Sequence, residues 1–226
     1  MTSNKNICVI MAHPDDEVLA FGGTIARFVK EGSKVFILFV STGVNSRIRD
    51  SDNLEKLTRL QTQAKSAAKI LGANEPFFGN FPDNKLDSVA FLDIVQYIEN
   101  FIEKNNPNTI LTHYGYDLNI DHQIVAKAVI TATRPLPNLP KIKIYSGEIL
   151  SSSEYTIEKR FQPNTYVNIE DFLGLKLAAM ECYKDEIREW PHPRSLKGIK
   201  SLAFLRGSEA GMETAEALYL LRDIIY

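Results

Sequence analysis

Short apolar runs alternate with amphipathic segments through the first two thirds of the chain. The apolar runs have the length and composition of strands buried on both faces of a parallel sheet, and they are Ile7–Ala12, Lys34–Ser41, Phe77–Phe81, Thr109–Tyr114 and Ile142–Tyr145. Apolar positions spaced by three or four residues predict helices over Glu17–Lys30, Leu54–Leu71, Ser88–Lys104 and Asp121–Thr133. This alternation predicts a Rossmann-like three-layer α/β/α sandwich with a mostly parallel sheet.

The pattern is less regular after Gly147. It predicts a strand at Thr165–Ile169, helices at Glu170–Glu189 and Ser195–Arg206, a rigid break at Trp190–Pro193, and a tail, Ala215–Tyr226, that fits either helix or strand. No internal repeat or linker divides the sequence, so we expect a single domain over residues 1–226 with an elaborated C-terminal third.

Composition narrows the range of partners. The 226 residues include 26 basic and 28 acidic side chains, a net charge of −2, so no basic excess favours nucleic acid or an anionic membrane. No apolar stretch approaches the ~18 residues of a spanning helix, and the first apolar run is too short for a signal peptide. We expect a cytoplasmic protein acting on a small molecule; the sequence leaves a homo-oligomer open.

Three polar clusters follow predicted strands, where parallel sheets bind their ligands. They are His13–Glu17 after the first strand, Ser41–Arg47 after the second, and His113–His122 after the strand that begins at Thr109. None of them has the pattern of a serine nucleophile elbow, a phosphate-binding loop or a dinucleotide fingerprint. His113 itself fits equally a strand-end structural histidine and a residue of the pocket.

The first cluster indicates a metal site. Asp15 and Asp16 repel each other, and burying either carboxylate without a partner is unfavourable. A divalent cation removes that cost: His13 and Asp16 would bind it from one turn, and His122 from a neighbouring loop. Three protein ligands with one open position are typical of catalytic zinc, and Asp15 would then face the water. The alternative is that Asp15 or Asp16 caps the helix that begins at Glu17.

These residues resemble a known family. Ala12-His-Pro-Asp-Asp-Glu17 followed by Gly22-Gly23-Thr24 is similar to the opening signature of the LmbE-like, or PIG-L, zinc-dependent N-acetylglucosamine deacetylases. Supporting matches are Asp121-His122, Phe81–Asn84, Leu86-Asp87 and, for one branch, His192–Ser195. The main resemblance spans about Ile7 to Pro135.

The resemblance implies a mechanism. It makes His13, Asp16 and His122 the zinc ligands and Asp15 the general base. Zinc lowers the pKa of a bound water toward about 7 and polarises the amide carbonyl, and Asp15 takes the proton as water attacks. An N-acetylated amino sugar or glycoconjugate would then release acetate and a free amine.

One position departs from the family pattern. Asn119 stands where the second motif commonly has a histidine; its amide can donate a hydrogen bond to an oxyanion but cannot transfer a proton. Asp121 either supports a metal-binding histidine or caps the helix. The proton donor for the leaving amine is therefore either Asp15 or His192, which prolines 191 and 193 restrain. The segment around His192 is alternatively only a stiff linker.

The remaining candidates concern the substrate. Arg47, and less strongly Arg49, fit either contacts with sugar hydroxyls or a phosphate or solvated positions in a loop. Tyr114 and Tyr116 fit either stacking on a sugar face or covering the edge of the core. Arg194 would hold a substrate anion or pair with an acidic neighbour. Two other functions remain: a metal-dependent amidase for a thiol- or antibiotic-type sugar conjugate, and a non-catalytic sugar- or metal-binding relative. Asp15 argues against the latter, because binding zinc does not require it.

Overall fold

The computed structural model describes residues 5–41, 51–137, 140–157 and 159–225. The strands are β1 (Asn6–Met11), β2 (Lys34–Ser41), β3 (Phe77–Phe81), β4 (Thr109–His113), β5 (Lys143–Gly147), β6 (Thr165–Asn168) and β7 (Ala215–Arg222). The helices are α1 (Asp16–Lys30), α2 (Ser51–Leu71), α3 (Phe91–Asn105), α4 (Ile120–Ala132), α5 (Leu173–Met180) and α6 (Leu196–Glu209).

The seven strands form one sheet in the order β3-β2-β1-β4-β5-β7-β6. The first five are parallel, and β7 runs antiparallel to both β5 and β6. The tail that fitted helix or strand is therefore a strand.

Helices cover both faces of the sheet. Apolar side chains of α1, α2 and α5, such as Phe21, Leu71 and Met180, pack on one face, and those of α3 and α4, such as Ile98 and Val129, pack on the other. The predicted Rossmann-like three-layer sandwich with a mostly parallel sheet is confirmed. Within the described parts of the chain, no helix has the length and apolar character needed to cross a membrane.

Strand order creates a crevice between β1 and β4. From β1 the chain proceeds outward to β2 and β3, then returns to place β4 on the other side of β1. The connections that follow β1 and β4 therefore diverge, which is where open parallel sheets bind ligands. His13 lies just beyond β1, and His113 ends β4.

A buried ion pair anchors α1 in this position. Lys176 Nζ lies 2.6 Å from a Glu216 carboxylate oxygen and donates to the carbonyl oxygen of Leu19 at 2.8 Å. Glu216 also accepts the backbone N–H of Gly23 at 2.9 Å. A Cβ at Gly23 would lie 2.6 Å from Ile169 Cγ2, so only glycine allows this approach. These contacts hold α1, which begins directly after Asp15, against α5 and β7.

The helix predicted over Glu170–Glu189 was too long. The structure has a 3₁₀ turn at Glu170–Phe172, followed by α5, which ends at Met180. The next turns carry Tyr183 into the core, where its hydroxyl donates to Glu17 at 2.6 Å. This distant contact overrides the local helical pattern. Smaller differences occur at two other helices: α2 begins at Ser51, and α3 begins at Phe91 after a 3₁₀ turn at Leu86–Ser88.

Candidate active site

The turn between β1 and α1 holds Asp15 in an unusual backbone conformation. Asp15 has φ 105° and ψ −30°, in the left-handed region, which costs a non-glycine residue about 1–3 kcal/mol. Its N–H donates to Glu17 Oε2 at 3.0 Å, and the Tyr183 hydroxyl holds the other oxygen of Glu17. Asp15 occupies the N-cap position without a side-chain capping bond, so helix capping does not account for its carboxylate.

The three predicted metal ligands lie together. Asp16 Oδ2 is 3.3 Å from His13 Nδ1 and 3.4 Å from His122 Nε2. One ligand atom from each of the three residues lies within 4.8 Å of the other two. Asp16 and His122 are buried and His13 is nearly so. Two imidazoles and one carboxylate are a ligand set suited to zinc.

Each of these imidazoles also contacts a second carboxylate through its other nitrogen. His13 Nε2 lies 3.1 Å from Asp121 and 3.3 Å from Asp83, and His122 Nδ1 lies 3.0 Å from Asp117. Carboxylates in this position orient histidines that bind metals. His13, Asp83 and Asp121 form a second group close enough for a metal, but the two-histidine set with Asp16 agrees better with zinc chemistry.

The charges at the cluster suit a divalent cation. Burial opposes protonation of the two histidines, but hydrogen bonds to Asp121 and Asp16 raise the pKa of His13 to about 10. The charge of Asp16 and the bond to Asp117 raise the pKa of His122 to about 9. Both shifts favour the positively charged imidazoles, whose two charges compensate the buried carboxylates. A bound divalent cation supplies the same two positive charges.

Asp117 is a site residue to which the sequence analysis gave no role. It is buried, and besides His122 it accepts hydrogen bonds from the hydroxyls of Ser152 and Ser153. Burial raises the pKa of its carboxyl, but the hydrogen bond and charge of His122 and the bonds from the two serines together outweigh this effect, and the pKa lies below its usual value. The serines follow β5, 35 and 36 residues along the chain, so no local motif indicates the contact.

Asp15 lies beside the cluster and is paired with Arg194. The side chain of Asp15 is almost fully buried, and its Oδ2 lies 3.0 Å from a guanidinium nitrogen of Arg194. Burial raises the pKa of Asp15 well above its usual value, and the positive charge of Arg194 opposes that rise. Arg194 also contacts Glu186 at 3.1 Å and Ser151 at 2.7 Å. Of its two predicted roles, pairing with an acidic neighbour is the one observed.

At the start of α4, Asn119 and Asp121 have different hydrogen-bond partners and therefore different roles. Asn119 Oδ1 accepts the N–H of Asp121 at 2.8 Å and caps the helix, while its amide nitrogen donates to Asn84 at 3.3 Å. The Asp121 carboxylate contacts His13 and accepts the N–H of Leu86 at 3.0 Å. Asp121 therefore supports a histidine of the cluster, and Asn119 is the cap.

His113 lies beneath His122 as a neutral residue. Its Nε2 accepts the N–H of Ala12 at 2.7 Å, and its ring stacks on that of His122 with centroids 4.0 Å apart. Complete burial lowers the pKa of His113 well below its usual value. Of the two roles that the sequence left open, these contacts favour the structural one.

The structure does not bring every candidate to the cluster. His192 is exposed, and its Nδ1 accepts the N–H of Arg194 at 3.1 Å; among the described residues, it has no hydrogen bond or ion pair with the three candidate ligands. Tyr114 is half-buried and donates to the carbonyl oxygen of Arg160 at 3.3 Å. Arg47 and Arg49 lie outside the described residues.

The region that carries these residues matches a protein family. Residues 8–133, more than half of the chain, match the PIG-L family, described as GlcNAc-PI de-N-acetylase. The protein belongs to the PIG-L family. The match includes the turn at Asp15 and the cluster of His13, Asp16 and His122.

Named sequence relatives and solved structures are consistent with membership of this family. The chain is 25% identical over 187 residues to a probable N-acetyl-α-D-glucosaminyl L-malate deacetylase 2 of Bacillus cereus, which covers 80% of this chain and 84% of the relative. The N,N′-diacetylchitobiose deacetylase structure from Pyrococcus horikoshii matches with a TM-score of 0.79 and 19% identity, over 96% of this chain and 84% of that one. A hydratase shares the fold as well: GalB from Pseudomonas putida matches with a TM-score of 0.77 and 21% identity over 98% of each chain.

We predict that Tyr183→Phe destabilises this PIG-L protein. The substitution keeps the ring in the core but removes the hydroxyl that donates to the buried Glu17 carboxylate. A buried acceptor left without its donor costs about 1–3 kcal/mol. Urea denaturation should show a free energy of unfolding lower by that amount, whereas Tyr155→Phe, at an exposed tyrosine, should leave it unchanged. Equal stability of the two variants would show that the Tyr183 bond does not support the turn.

Proposed function

We propose that the protein is a zinc-dependent hydrolase that removes the acetyl group from an N-acetylated amino sugar or glycoconjugate. The observation that carries the proposal is the cluster of His13, Asp16 and His122, with the buried carboxylate of Asp15 adjacent in sequence. We also infer that residues 1–226 act as one domain. Membership of a family described as a de-N-acetylase supports this choice of reaction.

Zinc held by His13, Asp16 and His122 would supply Lewis acidity, polarising the acetamide carbonyl and making water more acidic. Asp15 accepts a proton from the attacking water, and the raised pKa of its carboxyl makes it a stronger base than an exposed aspartate. Arg194 holds Asp15 in place and keeps its charged form accessible. Asp117 and Asp121 fix the ring orientations of the two histidines.

The later part of the reaction needs a hydrogen-bond donor to the oxyanion and a proton for the leaving amine. The amide nitrogen of Asn119 has a second N–H beyond the one donated to Asn84, and that N–H is suited to donating to an oxyanion. Expulsion of the amine requires a proton, because an unprotonated amide nitrogen leaves poorly. Asp15 holds the proton taken from water. His192 is exposed and, within the described parts of the chain, has no hydrogen bond or ion pair with the three candidate ligands, which favours Asp15 as the donor.

Metal analysis and product release test the proposed function together. The purified protein should contain about one zinc ion by elemental analysis and release equal amounts of acetate and amine from N-acetylglucosamine conjugates. Hydration of an unsaturated carboxylic acid is the matched negative reaction, because a hydratase shares this fold. A zinc-loaded protein that releases no acetate from any conjugate tested would overturn the proposal.

We expect His192→Gln to retain turnover within about threefold and to keep the alkaline limb of the pH–rate profile, because Asp15 is the favoured donor. Loss of a true general acid would lower turnover much more, by about 10²-fold or more. Glutamine preserves the size and polarity of the exposed side chain. The measurement is acetate release between pH 6 and 10 at full zinc occupancy. A loss of about 10²-fold, with disappearance of the alkaline limb, would make His192 the proton donor.

A further inference from the structure

Three consecutive serines in the segment after β5 contact both sides of the candidate active site. With the glutamate that follows them they form Ser151-Ser152-Ser153-Glu154, which we call the serine loop. The side of the site that carries His122 meets the serine loop through Asp117. The side that carries Asp15 meets it through Arg194. The proposed chemistry gives the four residues of the serine loop no role.

Ser152 and Ser153 contact Asp117 and, through it, His122. Both serines are buried, and each hydroxyl donates to a different oxygen of the Asp117 carboxylate. Asp117 Oδ1 in turn lies 3.0 Å from His122 Nδ1. Ser153 Oγ also accepts the N–H of Ile149 at 2.7 Å, so this hydroxyl is held as both donor and acceptor. Both oxygens of the carboxylate are therefore fixed, and the imidazole that it contacts is held in one orientation.

Ser151 contacts the other side of the site. Its Oγ accepts a hydrogen bond from Arg194 Nε at 2.7 Å. A second nitrogen of the same guanidinium, Nη1, donates to Asp15 Oδ2 at 3.0 Å and to Glu186 at 3.1 Å. Because a guanidinium is planar and rigid, holding Nε fixes the direction from which Nη1 reaches the Asp15 carboxylate. Ser151 therefore acts on Asp15 through Arg194.

The backbone of the serine loop has an uncommon conformation. Ser151 has a φ of 69°, in the left-handed region, which is unfavourable for a residue other than glycine. The Glu154 carboxylate stabilises this turn, because its two oxygens accept the N–H groups of Ser151 at 2.6 Å and of Ser152 at 3.1 Å. Backbone conformations of this kind persist where surrounding contacts impose them, and they concentrate at functional sites. With this backbone, side chains that are adjacent in sequence reach Arg194 and Asp117.

We propose that the serine loop is a positioning element that fixes the general base relative to the metal ligands. Ser151 acts on Asp15, and the other two serines act on His122. These two groups are already connected once, because Asp16 follows Asp15 in the chain and contacts His122 at 3.4 Å. The serine loop connects them a second time, by a separate set of hydrogen bonds. The inference rests on the proposed deacetylase function and assigns positioning residues to it.

Zinc affinity tests the two serines that contact Asp117. The double variant Ser152→Ala/Ser153→Ala keeps all three proposed ligands and should bind zinc about 10-fold more weakly, the lower end of the effect of losing a residue that supports a ligand. Competition with a chelator measures this affinity without any substrate. Ser201→Ala, at an exposed position on α6, is the control and should bind zinc as the wild type does. Unchanged affinity in the double variant would refute the connection to His122.

Turnover at full zinc occupancy tests Ser151. Glycine and asparagine both tolerate the left-handed backbone, but only asparagine keeps a side-chain acceptor for Arg194. Ser151→Gly should lower kcat about 10-fold, since a misplacement of about 1 Å costs up to about 10²-fold, and should leave zinc affinity and KM unchanged. Ser151→Asn should recover most of the loss. Wild-type kcat in Ser151→Gly, or equal losses in the two variants, would overturn the role of Ser151.

A stability measurement separates failure of the serine loop from failure of the proposed function. Urea denaturation of Ser151→Gly, Arg194→Gln and the double variant requires no substrate. If the two residues act together, the change in the free energy of unfolding of the double variant should differ from the sum of the single changes, because residues in contact are not additive. Additive changes would refute the contact even if every conjugate is deacetylated. Non-additive changes, with weaker zinc binding by Ser152→Ala/Ser153→Ala, support the serine loop even if no conjugate is deacetylated.

Discussion

His122→Ala should abolish high-affinity zinc binding and, with it, deacetylation. His122 is buried, its Nε2 lies 3.4 Å from Asp16 Oδ2, and it is one of the three residues close enough to share a metal ion. Removing one ligand leaves a carboxylate and a single imidazole, which is too small a donor set for a catalytic zinc site. We expect zinc affinity to fall by more than the roughly 10- to 100-fold that follows loss of a residue supporting a ligand. Competition with a chelator of known affinity measures the change.

Two further variants make this test specific. Asp117→Asn keeps all three ligands but weakens the carboxylate support of His122, so its zinc affinity should fall by only about 10- to 100-fold. His192→Ala removes an exposed histidine and should leave zinc binding unchanged. Circular dichroism establishes that each variant is folded. Full zinc occupancy of His122→Ala at limiting metal would show that the third ligand is another residue.

The parallel part of the fold was predictable because its pattern is local. Each of β1 to β5 is a short apolar run between amphipathic helices, and parallel sheets require that order. The meeting of His13, Asp16 and His122 was predictable for a related reason: His13 and Asp16 share one turn, and the carboxyl ends of neighbouring parallel strands lie at the same edge. The strand ends therefore indicated which distant residues would meet.

The features that the sequence left open or assigned wrongly all depend on contacts between distant residues. Arg194 pairs with Asp15 across 179 positions of the chain, and an arginine in a polar segment carries no sign of its partner. Tyr183 was assigned to a helix because its neighbours have helical spacing, yet burial beside Glu17 ends that helix early. Asp117 depends on serines that follow a different strand. The residue types indicated that hydrogen bonds or ion pairs form near these positions, but not which groups form them.

Asp15→Asn should keep zinc and lose most turnover. Asparagine has nearly the same size and tolerates the left-handed conformation that Asp15 adopts, so the substitution removes the charge with little change in the turn. Loss of a general base lowers turnover by about 10²- to 10⁴-fold. In the wild type, turnover should fall as the pH drops through the pKa of Asp15, which burial places above the usual aspartate range. The variant should lack this acid limb.

Two controls distinguish loss of the general base from loss of the zinc site. Asp185→Asn replaces an exposed aspartate that pairs with Arg59 and should retain wild-type turnover. Elemental analysis of Asp15→Asn should give the wild-type zinc content, because the three proposed ligands are intact. Near-normal turnover by the zinc-loaded variant, with its acid limb preserved, would contradict the assignment of Asp15 as the base.

A double variant tests whether Arg194 acts through Asp15. Arg194 contacts the Asp15 carboxylate directly, so Arg194→Gln alone should lower turnover and shift the acid limb to higher pH, because the positive charge that favours the ionised carboxylate is lost. If positioning Asp15 is its only function, adding Arg194→Gln to Asp15→Asn should cause little further loss, since groups that act as one unit are strongly non-additive. Independent, multiplicative losses would instead indicate that Arg194 contacts the substrate itself.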